Sequence, residues 1–527
     1  MDSIFHHKLT PTHSLAAAGI VLFATVYFAF LRRPSAPFWG DLLPLLGVPS
    51  KKKYAGTAVI CGGSVSGLLA ARVCADHFEK VILVDSEGQA KSRSYQNEHP
   101  HAYLTLMIDV LRRLWPSFMI DAEAAGAVVT PADLKITSGG VPIPAPHRKF
   151  ASGTVPETVL LRRKSLDALL QRLLFSNQAN VERYSGVVVG LNSNREQGDL
   201  LSSVTLKSAE GGKEMCQDAS LVVDCTGALQ MGSKWLQEIG YKLPNDLRIS
   251  YDPKARYFTT VFTVPESLKK QLPIPGGYDD AGCLYGWGVD SSVGNTGFLL
   301  TRMDNDAVML CCFGWGNYKV PKTVEDIIPH IDSVKGVEAV PGWVYDTIRL
   351  LIQEGDPVCK GMRLPSCSNV RYHMVQDIPA NFVAIGDSCL QLNPAFAQGC
   401  SKAAIQVIAL NALLKESREG NPNRDRVPNE FSRRFFKYTA DYLQPVWDAT
   451  KAIDYGHQTT VTLPNETHKT GSFIRWYSKQ CLLASITDIN VAYELFKVQM
   501  FSATGSSLVQ PKVLFSVLFQ YLKRRIF

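Results

Sequence analysis

Residues 62–67, Gly-Gly-Ser-Val-Ser-Gly, have the composition and spacing of a phosphate-binding turn. Four apolar residues, 58–61, precede the turn, and a helical pattern starts at Leu68. Because glycines let backbone N–H groups come close to an anion, such a turn holds a pyrophosphate at the N-terminus of the following helix. Ser64 stands where the G-x-G-x-x-G pattern has its second glycine, and its small hydroxyl side chain suits a phosphate.

An acid follows the turn at the distance typical of a dinucleotide site. Residues 80–85 have the pattern of a second buried strand, and Asp85 at its end lies 23 residues after Gly62. A carboxylate at this place accepts hydrogen bonds from a ribose diol. A glycine-rich turn in some other α/β protein is the alternative, but the flanking strand, helix and acid favour a β-α-β dinucleotide-binding unit. We therefore predict an α/β fold built on a Rossmann-like domain.

A second polar pattern ends another buried strand. Residues 381–387 finish in Gly386 and Asp387, and a helix is predicted to begin at Gln398 and Gly399. Asp387 would provide a second ribose acceptor. The positive end of the helix dipole near Gly399 suits the negative charge that a reduced flavin gathers at its N1/O2 edge.

His99 and His101 are the nearest candidates for a general base. They lie in a polar segment with Arg93 and Gln96, soon after Asp85. Two histidines at i, i+2 can also bind a metal, but no third ligand lies nearby in the sequence. We therefore interpret the segment as a polar loop that covers a cofactor, and we predict no metal site.

The composition excludes some classes of function. The chain has 527 residues, enough for two or three domains, and its 55 basic and 48 acidic residues give a net charge of +7 without long basic runs. Nothing resembles a basic stripe with stacking aromatics, so no nucleic-acid partner is predicted. The twelve cysteines form no C-x-x-C pair, which predicts reduced, mostly buried thiols. The adjacent Cys311 and Cys312 are expected to lie on the two faces of a strand.

Residues 15–31 form a 17-residue run without a charge, followed by Arg32 and Arg33. As a helix this run would be about 25 Å long, which suits a thin membrane such as the endoplasmic reticulum. A cleaved signal peptide is the alternative, but the run ends in large residues, which favours an uncleaved transmembrane anchor. Basic residues after the run outnumber Lys8 before it, so the positive-inside rule predicts that the body of the protein faces the cytosol.

The chain divides into segments of different pattern. The predicted parts are an N-terminal anchor (1–33), a linker (34–55), the first part of the dinucleotide-binding domain with a β-meander (56–248), a mostly β substrate-binding insertion (249–355), the second part of the dinucleotide-binding domain (356–428) and a helical C-terminal region (429–527). Residues 513–522 are too short to span a bilayer, so an interfacial helix and a helix packed on the body both remain open.

Four aromatic residues of the β insertion are candidate walls of an apolar substrate pocket. They are Trp287, Phe313, Trp315 and Tyr318. Aromatic residues in a sheet are also common core residues, so a purely structural role is the alternative for each of them.

Taken together, the two glycine-bearing signatures resemble those of FAD-dependent monooxygenases related to aromatic hydroxylases and squalene epoxidases. The resemblance runs from Gly56 to about Asp454, and it extends to residues 222–227, Val-Val-Asp-Cys-Thr-Gly, and to the segment with His99 and His101. Within that superfamily, the chain is most similar to a poorly characterised set of FAD-binding oxidoreductases with a G-G-S-x-x-G-L turn.

The resemblance implies a bound FAD with its pyrophosphate at the glycine turn and its adenine ribose on Asp85. Arg163 would contact the flavin or its ribityl chain, Asp387 would bind the ribityl or pyrophosphate region, and residues 394–399 would lie beside the isoalloxazine ring. The residues implied in cofactor binding are Gly62, Gly63, Ser64, Ser66, Gly67, Asp85, Arg93, Gln96, Arg163, Asp224, Gly227, Gly386, Asp387, Pro394, Gln398 and Gly399.

The resemblance also implies the reaction. FAD would be reduced by NADPH or NADH, would react with O₂ to a C4a-hydroperoxide, and would transfer oxygen to a lipophilic small molecule of terpenoid or polyketide type, in secondary metabolism. One departure matters. Hydroxylases of this superfamily carry Asp-Gly and then an arginine in the middle motif, whereas here Thr226 replaces that Asp and residues 228–232 contain no arginine. Direct reduction by a nicotinamide cofactor is therefore less securely implied than FAD binding.

Three alternatives stay open. The first is a flavin-dependent reductase or dehydrogenase of an isoprenoid chain, and the second is a flavoprotein without turnover. The third is a flavin-dependent halogenase, which the Asp-Cys-Thr-Gly sequence at residues 224–227 resembles, although the W-x-W-x-I-P signature of that group is missing.

Overall fold

The computed structural model describes residues 39–86, 99–193, 199–420 and 426–526. The predicted anchor at 15–31 and the candidate residues Arg93 and Gln96 lie outside this part of the chain. Among the helices of the described ranges, none combines the length and the apolar character needed to cross a bilayer. The anchor therefore stays a prediction.

The described residues form a mixed α/β fold. The strands are β1 Tyr54–Cys61, β2 Phe78–Asp85, β3 Val128–Pro131, β4 Ile136–Ser138, β5 Val141–Pro142, β6 Glu157–Leu160, β7 Val181–Ser193, β8 Leu201–Ser208, β9 Met215–Asp218, β10 Leu221–Asp224, β11 Arg248–Tyr251, β12 Ala255–Thr263, β13 Cys283–Gly288, β14 Thr296–Arg302, β15 Ala307–Trp315, β16 Val358–Arg363, β17 Cys367–Val370, β18 Phe382–Ala384 and β19 Leu390–Gln391. The α-helices are Trp39–Leu42, Val65–His77, Thr105–Leu114, Phe118–Ala124, Arg163–Asn177, Met231–Glu238, Glu266–Lys269, Ile327–Asp332, Gly342–Glu354, Gly399–Gly420, Phe431–Asp454, Ser472–Ser485, Ile489–Gln499 and Pro511–Ile526.

The first large sheet contains the predicted β-α-β unit. Its seven strands follow the order β18-β10-β1-β2-β7-β8-β9. The strands from β18 to β7 are parallel, and β7, β8 and β9 form the predicted antiparallel meander. Strand β10 is buried along its whole length, as expected for a parallel strand covered on both faces. The carboxyl ends of β1, β2, β10 and β18 therefore meet at one edge of the sheet.

Two helices pack on each other against this sheet. They are Val65–His77, which follows the glycine turn, and Gly399–Gly420, which follows the second signature. The imidazole of His77 shares a 2.8 Å hydrogen bond with the Asn411 side chain, and this contact joins the two helices. The second helix ends at Gly420, and Ser417 is still buried in its last part.

The second large sheet covers the carboxyl edge of the first. Its strand order is β16-β12-β15-β14-β13-β4-β5, and all neighbours are antiparallel except β13 and β4. The sheet reaches beyond the predicted 249–355 insertion, since β4 and β5 come from an earlier part of the chain and β16 from a later one. One face packs against the helices Ile327–Asp332 and Gly342–Glu354. We call the opposite face, which carries Ala255, Tyr257, Cys311, Phe313 and Trp315, the inner face.

Cys311 and Cys312 lie on opposite faces of strand β15, as predicted for this adjacent pair. Cys311 packs on the inner face, while Cys312 packs among the residues of the helix-covered face. Both thiols are buried, and each of the twelve cysteines of the chain is free. The pair is therefore part of two different cores.

The last helices form a separate layer. Helices Ser472–Ser485, Ile489–Gln499 and Pro511–Ile526 share an apolar cluster that includes Tyr477 and Val517. The predicted helical character of this region is confirmed.

Candidate functional site

The glycine turn is a cradle that side chains would fill. The Gly62 N–H donates to the carbonyl of Val84 (2.9 Å), and Gly62 has a φ of +124°, in the region that favours glycine. A Cβ on Gly67 would lie 1.7 Å from the carbonyl oxygen of Gly62, and one on Gly63 would lie 2.5 Å from the carboxyl carbon of Asp85. Each of the three glycines is thus required by a close backbone or side-chain approach.

Ser64 connects the turn to the helix Arg163–Asn177. It precedes the helix Val65–His77 and makes no capping hydrogen bond to it. Instead, its hydroxyl accepts a 2.6 Å hydrogen bond from Nη2 of Arg163, whose Nε donates to Asp167 (3.0 Å). Burial acts to lower the pKa of Arg163, but Asp167, Cys400 and Tyr103 together outweigh it and raise that pKa. A permanent positive charge therefore stands beside the turn.

The second signature meets the first at Gly386. This glycine has a φ of +75°, and a Cβ there would lie 2.2 Å from the hydroxyl of Ser66. Its N–H donates to the side chain of Gln406 (2.8 Å), in the helix Gly399–Gly420. Two motifs 319 residues apart in the sequence are consequently in direct contact.

The two predicted ribose acceptors both have cationic partners. Asp85 is buried at the end of β2 and lies 3.3 Å from Nη2 of Arg183. Asp387 is partly exposed and pairs with Lys402, whose ammonium group also donates to the carbonyl of Leu390. Lys402 is only 1% exposed, so this charge lies inside the protein directly behind Asp387.

Asp224 is held inside the protein. It is fully buried and accepts hydrogen bonds from the N–H and the hydroxyl of Thr226 and from the N–H of Gly232. Burial raises the pKa of Asp224, and these donors oppose the rise. The carboxylate thus shapes the loop after β10, in which the Gly227 N–H donates to the hydroxyl of Ser388 (2.8 Å).

The loop after the second signature is the most open part of this edge. Pro394 and Gly399 are exposed, and among the described residues no atom would lie within 4 Å of a Cβ on Gly399. The side chain of Gln398 is tied down, since its carbonyl oxygen accepts from the hydroxyl of Thr450 (2.8 Å). The N-terminus of the helix Gly399–Gly420 therefore opens beside this loop.

His99 and His101 lie between the two sheets. One nitrogen of His99, Nδ1, is 2.7 Å from the hydroxyl of Thr259 on β12, and His101 Nδ1–H donates to the carbonyl of His99 (2.9 Å). Burial lowers the pKa of His99 to about 4, and burial together with the charge of Arg163 lowers the pKa of His101 to about 3. Both imidazoles are therefore neutral at pH 7.

Of the four aromatic pocket candidates, two lie on the inner face. Phe313 packs between Tyr257 and Trp315, with ring centroids about 6 Å apart, and this group contacts Phe396 of the 394–399 loop. Trp287 belongs to the helix-covered face instead. Tyr318 also lies away from the inner face, beside Gly314 and His330. The pairing register explains the position of Trp287. It lies opposite Phe298, which lies opposite Cys312, and residues in register across a sheet point to the same face, which is the opposite face from Phe313.

Asp454 joins the inner face to the 394–399 loop, and the sequence interpretation gave it no role. This fully buried carboxylate accepts from the hydroxyl of Tyr251 (2.7 Å), from Nε1 of Trp315 (2.8 Å) and from Nδ2 of Asn393 (2.8 Å). Burial raises the pKa of Asp454 to about 6. Only the spacing of Trp447, Thr450 and Asp454 on one helix face could have pointed to it.

The residues present fit FAD. The cradle excludes a Cβ at three positions, the helix Val65–His77 has no capping side chain at its N-terminus, and the N-terminus of Gly399–Gly420 is open. Anions bind at such helix N-termini because the unpaired backbone N–H groups point towards them. FAD has a pyrophosphate that suits the first helix N-terminus and a ring that gathers negative charge when reduced, which suits the second.

Comparisons with known proteins agree with this assignment. The chain has the fold of flavin-dependent monooxygenases and halogenases. It is similar to PqsL, described as a probable FAD-dependent monooxygenase from Pseudomonas aeruginosa, with a TM-score of 0.51, 14% identity, and coverage of 81% of this chain and 99% of that one. It is also similar to the flavin-dependent brominase Bmp2, with a TM-score of 0.54, 15% identity, and coverage of 90% and 100%.

Among curated sequences, the chain is 24% identical over 472 residues to Protein Rv3254 of Mycobacterium tuberculosis, covering 86% of this chain and 91% of that protein. No family model matches the chain. The structural neighbours show that the chain has the fold of flavoproteins, which is the fold that the two signatures predict.

Proposed function

We propose that this protein is an FAD-dependent monooxygenase, held to a membrane by residues 15–31, that hydroxylates or epoxidises a lipophilic small molecule. The observation that carries the proposal is the contact of Gly386 with Ser66, which joins the two signatures under the apolar inner face. When bound, FAD supplies the redox chemistry, since it accepts a hydride and activates O₂. NADPH or NADH is the proposed donor.

In this proposal the protein residues bind and orient FAD and shield the reaction from water. The glycine cradle and the charge of Arg163 would hold the pyrophosphate, and Asp85 and Asp387 would accept hydrogen bonds from the sugar hydroxyls. The exposed residues of the 394–399 loop would lie along the ring. Tyr257, Phe313 and Trp315 give the opposite wall an apolar surface, which would exclude water from the oxidation chemistry that FAD supplies.

No strong base is part of the proposal. His99 and His101 are neutral at pH 7 and are held by Thr259 and by a backbone carbonyl. They can donate or accept a hydrogen bond at the edge of the pocket, and oxygen transfer does not require a stronger base.

The substrate class and the location belong to the same proposal. An apolar pocket on a membrane-anchored protein suits a terpenoid or polyketide intermediate of secondary metabolism, dissolved in or near lipid. The endoplasmic reticulum, with the body of the protein in the cytosol, is the proposed location.

Anaerobic reduction followed by exposure to O₂ tests the proposal. The purified flavoprotein is mixed with NADPH or NADH without O₂, and loss of flavin absorbance is followed. Isotopically labelled O₂ and candidate lipophilic substrates are then added. A monooxygenase puts one labelled oxygen atom into the product. Turnover with no O₂ consumed would instead establish a reductase or dehydrogenase, and no reduction by either nucleotide would remove the proposed donors.

Halogenation is the second candidate, because the brominase Bmp2 and the halogenase CmlS share the fold with TM-scores of 0.54. The same assay separates the two functions when it is run with and without bromide or chloride. A halogenase forms its product only when halide is present, whereas a monooxygenase forms an oxygenated product without it.

A further inference from the structure

The C-terminal helix Pro511–Ile526 has two apolar faces, and only one of them is covered. Val513, Leu514 and Val517 are buried in the cluster shared with the helix Ser472–Ser485. On the opposite side, four large apolar residues are between 45% and 73% exposed; they are Phe515, Phe519, Leu522 and Ile526. The spacing i, i+4, i+7, i+11 places these four in one line along the helix. We call this line the apolar stripe.

The apolar stripe is part of a fixed surface. The side chain of Arg524 donates to Gln480 (3.0 Å), which ties the end of the helix to the body. The hydroxyl of Ser516 donates to Asp488, so the turn that carries the exposed Ile486 and Ile489 lies next to the helix. The exposed apolar residues therefore occupy defined positions on a packed helix, where such a patch marks an interaction site.

The charges around the apolar stripe identify its partner. Lys512 stands at one end, Lys523, Arg524 and Arg525 stand at the other, and the helix carries no acidic residue. A second copy of the chain, docked through a two-fold axis, would bring these cations against the same cations. A surface of anionic lipid headgroups over acyl chains would match both the apolar line and the basic ends.

We propose that the helix Pro511–Ile526 lies on an anionic membrane surface, with its apolar stripe among the acyl chains. This contact is independent of the oxidation chemistry. It gives the body of the protein a second attachment besides residues 15–31, and it fixes which side of the body faces the bilayer.

A local fluorescent probe tests the proposal in the full chain, where residues 15–31 can bind lipid by themselves. Phe519→Trp places a tryptophan on the apolar stripe, and Ile120→Trp places one at a position that is 73% exposed elsewhere. Each full-length variant is incorporated into vesicles of phosphatidylcholine and phosphatidylserine with brominated acyl chains. The emission of the unmodified protein, which has eight tryptophans, is subtracted.

We expect brominated chains to quench about half or more of the added emission in Phe519→Trp and little of it in Ile120→Trp. Equal quenching of the two variants would overturn the proposal. So would a blue shift of Phe519→Trp that grows with protein concentration in the absence of lipid, because it would identify a second copy as the partner. Adding Lys523→Gln and Arg525→Gln to Phe519→Trp should lower the affinity of the helix for anionic vesicles about tenfold or more, and the quenching should fall accordingly. In vesicles without anionic lipid the two substitutions should have no such effect. An unchanged affinity would contradict the assigned role of the charges.

Discussion

The glycine cradle and the inner face are the two walls of the proposed site, and different contacts hold them in place. In the cradle, backbone meets backbone within a few residues, as where Gly67 packs on Gly62. On the inner face, side chains from distant segments meet, as where Asp454 joins Trp315 to Asn393. The cradle is therefore set by a short local sequence, and the inner face is set by tertiary packing.

Their charges differ as well. Beside the cradle, two acids have a cation, with Asp85 near Arg183 and Asp387 near Lys402. The third, Asp224, is fully buried and bound by neutral donors. Asp454 behind the inner face is bound by neutral donors, and burial raises its pKa to about 6. A buried carboxylate without a cation has a raised pKa, and that of Asp454 lies within the usual pH range. The inner face accordingly contains a pH-sensitive group.

The largest effect is expected from Gly67→Ala. Its Cβ would lie 1.7 Å from the carbonyl oxygen of Gly62, and neither backbone can move away without opening the turn. We expect loss of bound FAD and a decrease of about 3 kcal/mol in the free energy of unfolding. Flavin absorbance measures the bound FAD, and urea unfolding measures the free energy of unfolding. Gly342→Ala, at a helix start where the added Cβ meets no described atom within 4 Å, is the matched control and should keep both properties.

Asp454→Asn should change how stability depends on pH. Because the pKa of Asp454 rises on folding, from an ordinary 3.8 to about 6, the folded protein holds this proton more tightly than the unfolded chain. Its contribution to stability is therefore greatest below pH 4, falls between pH 4 and 6, and stays low above pH 6. The loss from pH 3 to 7 is about 3 kcal/mol.

Urea unfolding of wild type and Asp454→Asn at several pH values measures this difference. The free energy of unfolding of the variant should lack this dependence on pH. The difference in unfolding free energy between the two proteins should therefore change by about 3 kcal/mol across the interval. Parallel curves for the two proteins would show that Asp454 does not titrate there, and the inner face would then have lost its pH-sensitive group.

The sequence predicted the cradle well and the inner face poorly. The reason is that the cradle depends on a local motif, whereas the inner face depends on tertiary packing. Residues 62–67 with the strand before them predict the turn, because the glycine spacing is a recognisable local motif and Gly67 is required by a contact with Gly62 inside it. Trp287 and Phe313 look alike in the sequence, yet only Phe313 reaches the inner face, since the pairing register decides the face. Asp454 has no local motif, and its donors come from three separate segments.

Lys402→Met should weaken FAD binding by about tenfold. The methionine keeps the volume of the buried side chain but removes the cation behind Asp387, so the carboxylate loses a charge-assisted hydrogen bond and its negative charge opposes the phosphates. FAD titration of the apoprotein measures the affinity. Lys497→Met removes a partly buried lysine that is paired with Glu494, and it should leave the FAD affinity unchanged. If Lys402→Met binds FAD as tightly as wild type, the ion pair does not support the cofactor edge.

Thr259→Val should give the smallest effect and shows how far the inner face depends on neutral hydrogen bonds. The hydroxyl of Thr259 is fully buried and is the described partner of His99 Nδ1, so its loss leaves that nitrogen without this bond and should lower the free energy of unfolding by about 1 kcal/mol. Thr263→Val, at an exposed position of the same strand, should change it by less than about 0.5 kcal/mol. Because the pKa of His99 is already about 4, the rate of substrate oxidation in Thr259→Val should keep the wild-type pH profile from pH 6 to 9. A new inflection near neutral pH would mean that His99 exchanges a proton during turnover, and the inner face would then contribute chemistry as well as an apolar wall.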